Sequence, residues 1–109
     1  MEKIYNKLVR DRIPEIITIN GGEPFTRILN DVEYKNELEK KLLEEYNEVL
    51  LTKTSEERIE ELADMFEIIK ALAILENSSI DDVIEVANSK SIKRGSFENK
   101  IYLEKVVEE

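Results

Sequence analysis

Five carboxylates fall in two short motifs whose spacing could bind a metal ion. The motif EEYNE supplies Glu44, Glu45 and Glu48, and the motif ELAD supplies Glu61 and Asp64. Residues three or four positions apart share one face of a helix, so each motif would present its carboxylates together. Because the chain has no histidine and no cysteine, any metal must be held by oxygen ligands, which is typical of Mg²⁺, Mn²⁺ or Ca²⁺.

The second motif interrupts an apolar stripe that continues along the same helix face to Leu75. Burying Glu61 and Asp64 without a partner would cost several kcal/mol, and their repulsion would favour protonation of one of them. A divalent cation would remove both penalties. An ion pair with Arg58 or Lys70 is the alternative explanation.

The first motif carries less information by itself. Glu44, Glu45 and Glu48 lie at the edge of an apolar face, and 25 of the 109 residues are acidic, so such spacings also arise by chance. For Glu44 and Glu48 taken alone, a solvated helix face with ordinary pairs to Lys40 and Lys41 is the favoured explanation. If the two segments pair as antiparallel helices across a short turn, four or five carboxylates can converge on one cavity, which would suit more than one ion.

The elements that would position these motifs are helices. The chain, residues 1–109, has only three glycines and two prolines, which favours long helices in a single all-α domain with short extended ends. A strand is predicted only in the tail, from Lys100 to Val107, where apolar residues partly alternate. Four helical segments are predicted. The first begins at a cap at Asp11 and is stopped by Gly21 and Gly22, and the second runs from Asn30 or Asp31 to Leu51. The third runs from Thr54 or Ser55 to Leu75, and the fourth from a cap at Ser79 to Arg94.

Composition excludes several functions. The absence of cysteine and histidine excludes disulfides, zinc fingers and Ser-His-Asp triads. A formal net charge of -9 opposes binding to polymeric nucleic acid, whereas a bound cation could still attract a small phosphorylated metabolite. No signal-peptide pattern or membrane-spanning stretch is found, so a soluble, cytoplasmic protein is expected. For a domain this small, association with a second copy would help stability.

Basic residues emerge at the end of the fourth helical segment. Lys90 and Arg94 are four positions apart in line with its apolar face, and Lys93 lies beside them. Cations are favourable in the last turn of any helix, which is the simpler explanation. They could also bind phosphate oxygens, and Lys7 and Arg10 near the N-terminus offer further cations for the same role.

The order of these motifs resembles the MazG-like superfamily of all-α nucleoside triphosphate pyrophosphatases, whose signature is EExxE followed by ExxD. The stretch YNKLVRDRIP at residues 5–14 resembles the opening of a small single-domain branch of that superfamily. KRGSF at residues 93–97 resembles its closing motif, with Ser96 in place of the usual second glycine, and YLE at residues 102–104 also fits. The resemblance covers nearly the whole chain.

The resemblance implies a helical bundle that assembles as a homodimer or homotetramer. It also implies Mg²⁺-dependent cleavage between the α- and β-phosphates of a nucleoside triphosphate, with Mn²⁺ as an alternative ion. Glu44 would be a further metal ligand or the base that orients the attacking water, a role that Glu45 could share. Matched position by position, the resemblance implies two sets of site residues. The metal ligands would be Glu45, Glu48, Glu61 and Asp64, and the phosphate contacts would be Lys90, Lys93 and Arg94.

Three functions remain open from the sequence. The first is house-cleaning hydrolysis of non-canonical or excess nucleotides. The second keeps the reaction but takes phosphoribosyl-ATP as substrate. The third is a helical interaction or regulatory dimer without enzymatic activity.

Overall fold

The chain is all-helical. The computed structural model describes residues 1–108, and Glu109 lies outside them. No strand is present in that part of the chain, and none of its helices is long and apolar enough to cross a membrane. The four helices are α1 (Ile13–Ile19), α2 (Asp31–Leu51), α3 (Ser55–Leu75) and α4 (Ile80–Arg94).

The helix boundaries confirm the all-α prediction, whereas the strand predicted from Lys100 to Val107 is wrong. That segment has no regular structure. A strand needs a neighbour for its backbone hydrogen bonds, and residues 1–108 provide no other strand for the tail to pair with.

Side-chain caps set the starts of the three long helices. At α2, the side-chain oxygen of Asn30 accepts a hydrogen bond from the Glu33 amide at 2.9 Å, and the Glu33 carboxylate accepts one from the Asn30 amide at 3.4 Å. Thr54 and Ser79 each accept a hydrogen bond from the amide three residues further on. These caps satisfy amides that have no partner inside the helix, which explains why α2, α3 and α4 begin where they do.

The start of α1 differs from the prediction. Arg12, not Asp11, is the N-cap residue, and it makes no capping hydrogen bond. Its backbone (φ -91°, ψ -2°) is already helical, whereas a capping side chain acts from extended backbone. The end of α1 is as predicted. Gly21 adopts a φ of +91°, and a Cβ atom on Gly22 would lie 2.7 Å from Cγ2 of Ile17.

The centre of the fold is an antiparallel hairpin of α2 and α3, joined by a loop of only three residues, 52–54. Near this loop, Nη1 of Arg58 donates to the carbonyl of Val49 at 3.2 Å. At the opposite end of the hairpin, Lys35 and Glu76 are paired at 3.9 Å. α4 packs on α3, while the backbone of α1 approaches no other helix in the described chain.

Little of the chain's apolar surface is buried. Within residues 1–108 the buried apolar side chains are Leu38, Val49, Ile68 and Ala73, all in the hairpin. The accessible surface is 10318 Å², whereas a compact protein of this mass exposes about 6,200 Å². The radius of gyration is 18.9 Å, against about 13 Å for a compact domain. One chain therefore leaves about 4,000 Å² more surface exposed than a compact monomer would.

We expect Asn30→Ala to lower the free energy of unfolding by about 1 kcal/mol, because the Glu33 amide loses its acceptor. Urea unfolding followed by circular dichroism, at one protein concentration, measures the change. Asn36→Ala is the matched control. It lies on the exposed surface of α2, where alanine has the higher helix propensity, so it should be neutral or slightly stabilising. An equal loss in both variants would contradict the capping role.

Candidate metal centre

Three carboxylates from the two acidic motifs meet on the hairpin. Glu45 of α2 and Glu61 and Asp64 of α3 each offer an oxygen, and these oxygens all lie within 4.8 Å of one another. All three side chains are half-buried. We call this group the acidic cluster. The antiparallel pairing of α2 and α3, which the sequence predicts as the condition for such a site, is therefore present. It brings residues of the EEYNE and ELAD motifs together.

The register of the hairpin explains this meeting. Glu45 lies one helical turn before Val49, and Glu61 lies about one turn after Arg58. Arg58 of α3 donates to the Val49 carbonyl of α2 beside the loop, so these two turns lie side by side. One turn further from the loop on each helix, Glu45 therefore lies opposite Glu61. Asp64 follows one turn later on the same face of α3.

The cluster is less buried than its apolar stripe predicted. Ile68, further along the stripe, is only 6% exposed, but the side chain of Asp64 remains 40% exposed. Glu61 and Asp64 thus keep part of their hydration. The desolvation penalty expected from the sequence is correspondingly smaller in a single chain.

The surroundings of Glu61 in the cluster nevertheless change the titration of this residue. The pKa of Glu61 is raised above its usual value, first because its carboxyl forms a hydrogen bond with Glu45, and then because partial burial disfavours the charged form. The negative charges of Glu45, Asp64 and Glu60 add to this effect. These surroundings disfavour the charged form of the Glu61 carboxyl.

Arg10 supplies the cationic partner of the cluster. Its Nη2 atom donates to Oδ1 of Asp64 at 2.6 Å, across 54 positions of sequence. The two cations considered from the sequence are engaged elsewhere, since Arg58 binds the Val49 carbonyl and Lys70 pairs with Glu67 at 3.5 Å. No local pattern could reveal the Arg10 contact, because the N-terminal segment and α3 are brought together only by the fold.

Two of the five predicted acids do not join the cluster. Glu44 and Glu48 are exposed on α2, outside the group whose oxygens converge. Within residues 1–108 they form no ion pair with Lys40 or Lys41. The structure thus brings together three carboxylates, and the roles of Glu44 and Glu48 remain predictions.

The predicted phosphate contacts of α4 line a surface groove that does not include the acidic cluster. Lys90, Lys93 and Arg94 lie along a surface groove of about 580 Å³ that no residue of the acidic cluster lines. Lys7 forms no ion pair with an acid of residues 1–108, and its Nζ atom lies 5.7 Å from the ring centre of Tyr5. The residues that line the groove are Ser78, Asp82, Glu85, Val86, Ser89, Lys90, Lys93 and Arg94.

Comparison with known proteins gives one informative match. The chain is similar to an uncharacterized protein from Mycolicibacterium smegmatis, with 44% identity over 54 residues. The match spans 50% of this chain and 55% of that protein, so the chain covers about half the length of the relative. No known protein family matches the chain, and no solved structure matches it.

In the metal-free chain, we expect the free energy of unfolding to fall as the pH rises through the pKa of Glu61. The folded chain holds this proton more tightly than the unfolded chain does. Protonation of Glu61 therefore stabilises the fold at low pH, and this contribution is lost above the raised pKa. Urea unfolding in the presence of a chelator, from about pH 4 to 8, measures the effect.

Glu45→Gln tests the cause of this fall. It removes the carboxylate that contributes most to the shift, so the decline in stability should be smaller than in the wild type. Glu39→Gln, an exposed position of α2 outside the cluster, should follow the wild-type curve. Identical pH profiles for Glu45→Gln and the wild type would contradict the coupling between Glu45 and Glu61.

Proposed function

We propose that this chain is a Mg²⁺-dependent nucleoside triphosphate pyrophosphohydrolase of the MazG-like type. It would cleave between the α- and β-phosphates and release a nucleoside monophosphate and pyrophosphate. The observation that carries the proposal is the convergence of Glu45, Glu61 and Asp64. These residues come from both motifs of the EExxE and ExxD signature.

The acidic cluster fits a hard divalent cation. Mg²⁺ prefers oxygen ligands at 2.0–2.1 Å in octahedral geometry, which places ligand oxygens about 3 to 4 Å apart. The cluster oxygens lie within 4.8 Å, so small side-chain rotations would bring them to these separations. Mg²⁺ that also binds substrate phosphates usually takes one or two protein carboxylates, so the three of the cluster are sufficient for one ion. Glu48, one turn beyond Glu45, is the proposed fourth ligand.

Each part of the chain would have a defined task in hydrolysis. When bound, Mg²⁺ would neutralise phosphate charge and acidify the attacking water. Glu45 is the better placed of the two proposed proton acceptors, because it belongs to the acidic cluster, while its neighbour Glu44 is exposed. The attacking water would add to phosphorus as the bridging P–O bond between the α- and β-phosphates breaks. The proton that the water loses would pass to the carboxylate of Glu45. No covalent nucleophile is needed, because such hydrolysis depends mainly on positioning and charge neutralisation.

The working form would be a homodimer or homotetramer, the assembly that the resemblance implies. The single chain exposes about 4,000 Å² more than a compact monomer would. A dimer in which each chain buried about half of this excess would bury about 4,000 Å² in total, within the range of obligate interfaces. Leu62 and Phe66, which flank the acidic cluster on α3, are 48% and 46% exposed. The groove that Lys90, Lys93 and Arg94 line includes none of the three acids of the cluster. In the assembly, α4 of the same chain or of a second copy would supply the cations that contact a bound triphosphate.

Two other functions remain as alternatives that experiments can separate. A panel of nucleoside triphosphates with phosphoribosyl-ATP, assayed by pyrophosphate release, separates the house-cleaning role from a biosynthetic one. A helical interaction module is favoured by the exposed apolar surface, and it would associate without any Mg²⁺-dependent hydrolysis.

Asp64→Asn and Glu61→Gln should each lower the rate of pyrophosphate release on the order of a hundredfold or more, because a metal supplies several kcal/mol of transition-state stabilisation. Glu48→Gln should do the same if this residue completes the site. Glu60→Gln, next to the cluster but outside it, should keep nearly full activity. Circular dichroism must show an unchanged fold. Wild-type turnover in both Asp64→Asn and Glu48→Gln would contradict the metal assignment.

Sedimentation velocity should find the wild type as a dimer or larger species. Phe66→Asp should weaken association about tenfold or more, since burial of a phenylalanine is worth about 1.5–3 kcal/mol. Phe66→Leu keeps an apolar side chain and should remain associated. A wild-type protein that sediments as a monomer at micromolar concentrations would contradict the assembly.

A further inference from the structure

The N-terminal segment, residues 1–12, makes one polar contact with the hairpin. Within residues 1–108 this contact is the ion pair of Arg10 with Asp64, whose atoms Nη2 and Oδ1 are 2.6 Å apart. The neighbouring Arg12 pairs locally with Glu15 at 3.2 Å. The N-terminal segment is therefore linked electrostatically to the rest of the fold through a member of the acidic cluster.

The position of Arg10 conflicts with a bound cation. Asp64 is one of three carboxylates whose oxygens converge, and Arg10 already places a positive charge on it. A divalent cation in the cluster would lie next to the guanidinium, and like charges at such a separation repel. Binding of either cation to Asp64 must therefore weaken binding of the other, because coupling between two ligands is reciprocal.

We propose that Arg10 and a divalent cation compete for Asp64. In the metal-free chain, Arg10 holds the cation position, compensates part of the cluster's negative charge and anchors the N-terminal segment. When the metal binds, Arg10 is displaced and remains beside the metal, where the phosphates of a substrate would lie. This inference rests on the proposed metal site and makes Arg10 a positioning residue.

The exposure of the ion pair sets the size of the effect. The side chains of Arg10 and Asp64 are 56% and 40% exposed, so water screens their attraction. Exposed pairs of this kind change an equilibrium by about two- to fivefold. Arg10 would thus tune metal affinity and remain easily displaced.

A titration with Mn²⁺, followed by the electron paramagnetic resonance of the free ion, tests the competition. Arg10→Gln should bind Mn²⁺ about two- to fivefold more tightly than the wild type. Arg12→Gln is the matched control, because it removes the same charge from the same segment but leaves the contact with Asp64 intact. Its affinity for Mn²⁺ should stay close to the wild-type value.

A second measurement follows the N-terminal segment itself. With saturating Mg²⁺, the backbone amide resonances of residues 8–12 in the wild type should move towards their positions in metal-free Arg10→Gln. In Arg10→Gln, the same resonances should respond little to Mg²⁺, because the anchor is already absent.

The outcomes separate this inference from the proposed function. Unchanged or weaker Mn²⁺ binding by Arg10→Gln, with binding lost in Asp64→Asn, overturns the competition alone. Equal Mn²⁺ binding by the wild type and Asp64→Asn overturns both the competition and the metal site.

Discussion

The antiparallel register of α2 and α3 is the constraint on which the rest of the structure depends. A loop of three residues leaves little freedom in how the two helices align, and the hydrogen bond from Arg58 to the Val49 carbonyl secures the first turn after it. All four buried apolar residues of the described chain lie in this hairpin. The acidic cluster is a consequence of the same alignment, since a shift of one helical turn would separate Glu45 from Glu61.

The parts of the fold that follow from local chemistry could be predicted from the sequence. The capping residues Asn30, Thr54 and Ser79 are all among the helix starts that the pattern indicates, although it left Asp31 and Ser55 open as alternatives for α2 and α3. Asp11 has the right side chain for a cap, but the backbone at the next residue is already helical, and no sequence rule reports that geometry. The tail from Lys100 has alternating apolar residues, yet a strand depends on a partner that local pattern cannot supply.

The candidate site shows the same division between local and long-range information. The spacing of Glu61 and Asp64 indicated a shared face, and the hairpin added Glu45 to it. The partner of Asp64 could not be found from the sequence, because Arg10 lies 54 positions away in a segment without regular structure. Helical periodicity also overestimated the burial of the two acids, since it describes one face of a helix and not how much of that face a neighbouring helix covers.

The short loop of the hairpin also has a consequence for the order of folding. The first contacts between α2 and α3 close a chain loop of only a few residues, and pairing can extend from there along both helices, so little conformational entropy opposes each step. We expect the hairpin to bring the three carboxylates together early, while the chain is still a monomer. A cation that binds the cluster would stabilise this early hairpin against unfolding, by mass action. Metal concentration would in that case act on the rate of maturation as well as on the finished protein.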